Sequence, residues 1–211
     1  MAYLQRHKSP HKKNNVTPLL VVNMKTKIIN LFGGPGIGKS TQAAGLYAMM
    51  KRNGMSVELT SEFPKVIAWE KNHSAIRDQL YITANQHRNI SRLYGQVEYI
   101  IIDSPILFGL VYKGRYGDGY PENLYGDSFD NFIIDLFKKY DNINILLHRN
   151  DAGYQKDGRF QDLEESKRVD KELKELMVNN DIEFHEYAVD YNTINKIYKD
   201  FFRKNGEIIH I

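Results

Sequence analysis

Residues 33–40 read Gly-Gly-Pro-Gly-Ile-Gly-Lys-Ser, and they follow directly on the short apolar run Lys27–Phe32 (KIINLF). Glycines at the first and sixth places, then lysine and a hydroxyl residue, form a pattern whose meaning depends on context: a strand before it and a helix after it. Both are expected here, because Lys27–Phe32 has the length and apolar continuity of a buried strand and a helical pattern begins at Ser40. The residue types have a chemical reason. Glycines let backbone N–H groups turn inward around phosphate oxygens, where a Cβ would obstruct the approach. The helix that starts at the lysine points its positive end at the same oxygens. Gly33, Gly34, Pro35, Gly36, Ile37, Gly38, Lys39, Ser40 and Thr41 are therefore the candidate nucleotide-binding residues. Lys39 is assigned to the β- and γ-phosphates, Ser40 to Mg²⁺, and Thr41 to the α-phosphate side.

The rest of the chain continues the alternation. A helix is expected over Ser40–Lys51, ended by Asn53-Gly54, and a second strand over Ser56–Thr60. A helical stretch at Val66–Glu70 and a longer helix from Ala75 to Tyr94 precede Glu98–Asp103 (EYIIID), the most strand-like segment. Residues Lys113–Tyr125, rich in Gly, Tyr and charge, read as a loop or small lid. Helical spacing resumes over Asp127–Tyr140, Ile143–His148 is a fourth strand, and Leu163–Asn179 is a strongly charged helix. Glu183–Val189 and Asn192–Lys204 complete the pattern as strand and helix. Strands alternating with helices imply an α/β fold, a parallel sheet with helices on both faces.

Composition narrows the classes. With 211 residues the chain fits one domain, and 42% hydrophobic and 26% charged residues describe a globular protein. There is no cysteine, so disulfides and thiolate metal sites are excluded, in keeping with a cytoplasmic setting. The seven histidines show no metal-ligand spacing. No apolar run approaches the roughly 18–20 residues that span a bilayer. Residues 1–23 carry Arg6, Lys8, Lys12 and Lys13 and no acid, so the net charge of +3 belongs to this arm and the body is near neutral. The expected organisation is a basic, disordered extension over 1–23 and one domain over 24–211, with Met24 as the natural start. A near-neutral body disfavours nucleic acid as a partner.

Asp103 ends an apolar strand, where it would sit beside the phosphate loop and hold a metal ion or its water; the plainer reading is a strand-ending Asp that opens the turn before Pro105. The place where guanine-reading switches carry Asn-Lys-x-Asp holds His148-Arg149-Asn150-Asp151, which disfavours a GTPase. The chain is also short for a large ring-forming ATPase, which favours a small-molecule kinase.

GGPGIGKST after the first strand, SEFPK after the second, DSP after the third and HRN…GRF after the fourth together resemble the P-loop nucleoside and nucleotide kinases. The likeness is to small phage and bacterial ATPase/kinase proteins related to nicotinamide riboside kinase domains, and it runs from Lys25 to Ile211. The resemblance implies a three-layer α/β/α fold with a five-stranded parallel sheet in the order 2-3-1-4-5 and a lid, here about residues 149–161. It implies ATP and Mg²⁺ as cofactors and a nucleoside, nucleotide or related small metabolite as phosphate acceptor. Relatives place an acid where Glu62 stands, facing the acceptor hydroxyl; the plainer reading is a surface Glu near Pro64. Arg149 and Arg159 bracket the lid and would stabilise charge in transfer, with Arg168 a weaker candidate.

Kinases of deoxynucleosides read the base with a glutamine on the helix where Gln79, Gln86 and Arg88 lie, two turns separating the glutamines on one face. Phe63, Trp69 and Tyr81 could stack on a ring, or could simply be core residues. Arginines that better-known relatives carry after the second and third strands are missing, and Arg77, Arg88 or Arg115 would have to compensate. Asp103 and Lys39 complete the candidate catalytic set with Glu62, Arg149 and Arg159. Two other readings stay open: a regulatory or DNA-metabolism ATPase, and a non-catalytic nucleotide sensor. A homodimer also stays open.

Overall fold

The computed structural model describes residues 24–60, 62–113, 115, 126–149 and 163–203, without the side chain of His73. Five strands, β1 (Lys27–Phe32), β2 (Val57–Thr60), β3 (Tyr99–Ile102), β4 (Asp141–His148) and β5 (His185–Ala188), form one sheet in the order β2-β3-β1-β4-β5. Every neighbouring pair is parallel, and β1 lies centrally, with Asn30 opposite Ile102 on one side and Asn144 on the other. This is the order that the kinase resemblance implies. A parallel sheet covered on both faces needs apolar residues on both sides of its strands, which is why KIINLF and YIII are continuous runs and not alternating ones.

Successive residues of β1 serve opposite cores. Ile28 and Phe32 face a layer made by α4 (Gln79–Ser91), α5 (Phe108–Tyr112), α6 (Gly126–Lys138) and α7 (Leu163–Asn179). Ile29 and Leu31 face α1 (Lys39–Arg52) and α8 (Thr193–Phe201). The sheet is thus sandwiched in three layers, with two short helices, α2 (Phe63–Trp69) and α3 (His73–Arg77), between β2 and α4.

One polar chain crosses the apolar sheet. Asn30, 2% exposed, donates from Nδ2 to Oδ1 of Asn142 at 2.9 Å and of Asn144 at 3.0 Å. Those two asparagines donate onward, to the carbonyls of Phe137 and Tyr140 and to that of Glu183. Buried amides tolerate such a place only when they satisfy one another.

One sequence expectation needs correction. The single helix over Ala75–Tyr94 is two, because Asp78 is an N-cap: its carboxylate accepts from Tyr81 N–H at 2.9 Å and its own backbone, at φ −82° and ψ 87°, leaves the helical region. After Pro105 comes α5, a short helix for which the sequence analysis has no counterpart. Expectations for residues 1–23, for most of the segment Lys113–Tyr125, for the lid beyond Arg149 and for Arg159 fall outside the described residues. Among the described residues no helix is long and apolar enough to cross a membrane.

Candidate functional site

All strands point the same way, so the loops at their C-terminal ends share one edge of the sheet, and the break in connection order around β1 opens a crevice there. The loop after β1 is residues 33–38. Gly36 (φ 79°) and Gly38 (φ 99°) adopt left-handed conformations that side chains resist, and Gly38 is the residue from which α1 starts. Among the described residues no side chain caps α1, whose cap is Gly38, and no acid lies in its first turn, so its leading N–H groups and positive end face the loop. Ser40 and Thr41 are exposed at that end.

Lys39 folds back over the loop, donating to the carbonyls of Gly33 at 2.7 Å and Gly34 at 3.1 Å, with its Nζ 5.3 Å from the Phe108 ring centre. Burial pulls its amino group below the ordinary lysine value. Glu62, Asp103 and Asp170 oppose that shift, and Arg149 adds to it. Four charged groups, three just past the ends of β2, β3 and β4 and one on α7, thus act on one ammonium, so the structure brings Lys39, Glu62, Asp103 and Arg149 together. Asp103 is 7% exposed at the end of β3. Among the described residues no group of three or more carboxylates or histidines is assembled. A metal ion here would lean on Ser40, Asp103 and the oxygens of a bound phosphate, which suits Mg²⁺.

Arg149 does not stand at the lid as a free charge. Its Nε donates to Asp170 Oδ2 at 2.7 Å and its Nη2 to the carbonyl of Pro35 at 2.7 Å. The other oxygen of Asp170 accepts the backbone N–H of Gly34. Arg115 is likewise held by α7, at Glu165 and Glu172, and Arg168 is exposed.

On the far side of the crevice α4 buries Gln79, Thr83 and Gln86. Gln79 donates to the carbonyl of Ile76 at 2.9 Å, closing the turn before α4. Gln86 donates to Ser104 Oγ, beside Asp103, at 2.6 Å. Oε1 of Gln86 and Oγ1 of Thr83 are buried and meet no hydrogen-bond partner among the described residues. Gly109 of α5 lies against Thr83, and a Cβ there would overlap the hydroxyl. Arg88 is exposed, half a helical turn away from Gln79 and Gln86, so the structure does not bring it to them. Trp69 is 68% exposed, while Phe63 and Tyr81 meet edge to face at 5.4 Å.

Asp170, Ser104, Thr83 and Phe108 escaped the reading of the sequence. Asp170 looks like any acid on a charged helix, and only the loop's approach to α7 reveals it. Ser104 was visible as the middle of Asp-Ser-Pro, and that position beside Asp103 was its one signal.

Sheet order and loop together define a kinase-like P-loop fold. A family described as AAA domain matches residues 28–193, and the chain belongs to that family. Deoxyadenosine kinase from M. mycoides with bound dATP is similar in structure, with a TM-score of 0.51 and 19% identity over 82% of this chain and 98% of that one. The same enzyme with dCMP and dCDP bound gives 0.51 and 22%, over 82% and 97%. NadR protein in complex with NAD and AMP-PNP gives a TM-score of 0.62 and 13% identity, over 88% of this chain and 52% of that one. Comparison by sequence with curated proteins finds no match. At these identities the structural likenesses establish the fold.

Proposed function

We propose that the chain is an ATP-dependent, Mg²⁺-assisted phosphotransferase acting on a nucleoside, a nucleotide or a related small metabolite. The observation that carries the reading is the meeting of Lys39, Glu62, Asp103 and Arg149 at the mouth of an uncapped helix. In this reading Lys39 leaves the carbonyls of Gly33 and Gly34 for the β- and γ-phosphate oxygens, and the N–H groups at the start of α1 bind the same tail. Ser40 and Asp103 hold Mg²⁺, which when bound offsets charge on those oxygens.

Glu62 orients the acceptor hydroxyl and takes its proton. The acceptor oxygen bonds to the γ-phosphorus as the bond to the bridging oxygen breaks, and that electron pair stays with the departing diphosphate. Arg149 stabilises the charge that spreads over the transferring oxygens, as would Arg159. Gln86 Oε1 and Thr83 Oγ1 supply the acceptor side, because two buried polar atoms that meet no partner among the described residues are costly until a ligand with matching groups satisfies them. Similar structures hold dATP, dCMP and dCDP, or NAD, which supports ligands of the nucleotide class.

Labelled ATP and Mg²⁺ with a panel of nucleosides, monophosphates, nicotinamide riboside and DNA tests the reading. Label should move to one class of small acceptor, Lys39→Ala should abolish transfer, and Glu62→Gln should lower it by at least about tenfold. Membership of the AAA domain family keeps an ATPase as the second reading, and acceptor-independent phosphate release stimulated by DNA would select it. Binding without turnover would leave only a sensor.

A further inference from the structure

We propose that Asp170 is a positioning residue: its carboxylate holds the guanidinium of Arg149 and the backbone of Gly34 in one fixed arrangement at the rim of the phosphate loop. The inference rests on the reading of that loop as a triphosphate site. Asp170 is close enough to Lys39 to act on its amino group, so an incoming triphosphate would be repelled by it. A carboxylate so placed is tolerable only if its charge is already spoken for.

Each of its oxygens is engaged. One accepts Gly34 N–H and the other accepts Arg149 Nε at 2.7 Å, while Arg149 Nη2 reaches across to the carbonyl of Pro35. Side-chain exposures of 17% for Arg149 and 24% for Asp170 shield the pair from solvent. These bonds occupy two of the five N–H donors of the guanidinium, and a planar group pinned at two points has little freedom left. The remaining donors lie beside the loop. An arginine fixed this way meets the terminal phosphate without first surrendering its rotamer entropy, an advantage of preorganisation.

The sequence separation makes the device informative. Gly34 and Pro35 belong to the loop, Arg149 follows β4 and Asp170 sits on α7. One carboxylate ties all three to each other, so the geometry of the loop and of the arginine is set together.

The experiment measures the affinity of a non-hydrolysable ATP analogue and of ADP, with Mg²⁺, for the wild type, Asp170→Asn, Arg149→Ala and the double variant. Asparagine keeps the size and can still accept Gly34 N–H, but presents no charge to Arg149. Wild type should prefer the triphosphate, and each single variant should lose about tenfold of that preference, with no further loss in the double variant. Millimolar guanidinium ion should restore the preference in Arg149→Ala while Asp170 is present, and fail to do so in the double variant. A merely structural salt bridge would move thermal stability without moving the triphosphate preference or the rescue. An Asp170→Asn protein with wild-type preference overturns the inference, as does equal rescue in both backgrounds. If the wild type binds neither nucleotide, the inference falls together with the loop reading. If the preference behaves as expected but no acceptor takes label, the phosphotransferase reading alone falls.

Discussion

Replacing Gly34 by alanine should be severely damaging, although the spacing of the glycine-lysine pattern leaves position 34 unrestricted. Its backbone needs no special φ; the constraint is contact. A Cβ at Gly34 would overlap the Ser166 carbonyl oxygen and lie 2.8 Å from Asp170 Oδ1 and 2.9 Å from Arg149 Nη2. Ser166 O belongs to the backbone of α7 and cannot swing aside, so loop and helix must separate. Overpacking of this kind costs about 1–3 kcal/mol. Weakening the Gly34 N–H bond to a charged acceptor adds a share of about 1.5–3 kcal/mol. Since one displacement causes both losses, about 3 kcal/mol is the expected sum. For a chain of this size that corresponds to a fall in Tm of about 6–12 °C. Thermal unfolding followed by circular dichroism measures it, and affinity for a non-hydrolysable ATP analogue should drop in parallel by about tenfold or more. A Gly34→Ala protein that melts within about 2 °C of wild type would show that α7 does not bear on the loop as described.

Three further outcomes follow from other parts of the structure. Asn30→Leu should destabilise by about 2–4 kcal/mol, since it takes the donor from the buried carbonyl oxygen of Asn144 and the half-buried one of Asn142; urea unfolding reads this, and a change below about 0.5 kcal/mol would refute it. Thr26→Val removes a hydroxyl that donates to Val97 O at 2.5 Å and accepts from Gly95 N–H at 2.9 Å, and should cost about 1–2 kcal/mol in the same assay, an unchanged midpoint counting against it. The hydrogen bond from Lys174, with help from His148, holds the Glu186 carboxyl below its ordinary value of 4.5. The unfolded chain therefore binds more protons in the window just below that value, so this contribution to stability is present above about pH 4.5 and lost as the pH falls through the folded value. Because Glu186 is exposed the effect is small, and Glu186→Gln should only flatten the acid limb of the Tm–pH curve; superimposable curves would refute the assignment.

What the sequence made legible was the frame and the floor of the site. Glycines with positive φ, a lysine and an uncapped helix start are dictated locally, so residues 33–41 could be read without knowing the fold. The strands were readable for a similar reason, since burial on both faces leaves runs such as EYIIID that suit little else. Asp103 and Glu62 were reachable because parallel strands place their C-terminal ends at one edge. The walls were not legible in this way. Asp170 acts across 136 residues on Gly34, and nothing within the pattern DLEESKRVDKELKELMV separates it from the other acids of that helix. Asp78 carries a capping role that helical periodicity hides, which is why two helices were read as one. Arg88 shows the opposite error, a charged residue credited to the cleft that its own helix turns toward solvent.

The asparagine chain across β1 and β4 has a consequence for function at a distance. Strands made of interchangeable Ile and Leu could slide past one another by two residues and keep the same faces buried. Such a slip would carry the end of β4 about 6.6 Å along the sheet, removing Arg149 from the Pro35 carbonyl. Three amides that recognise only one alignment forbid it, so the arginine's place beside the loop is guaranteed by polar residues buried near the opposite end of the strand.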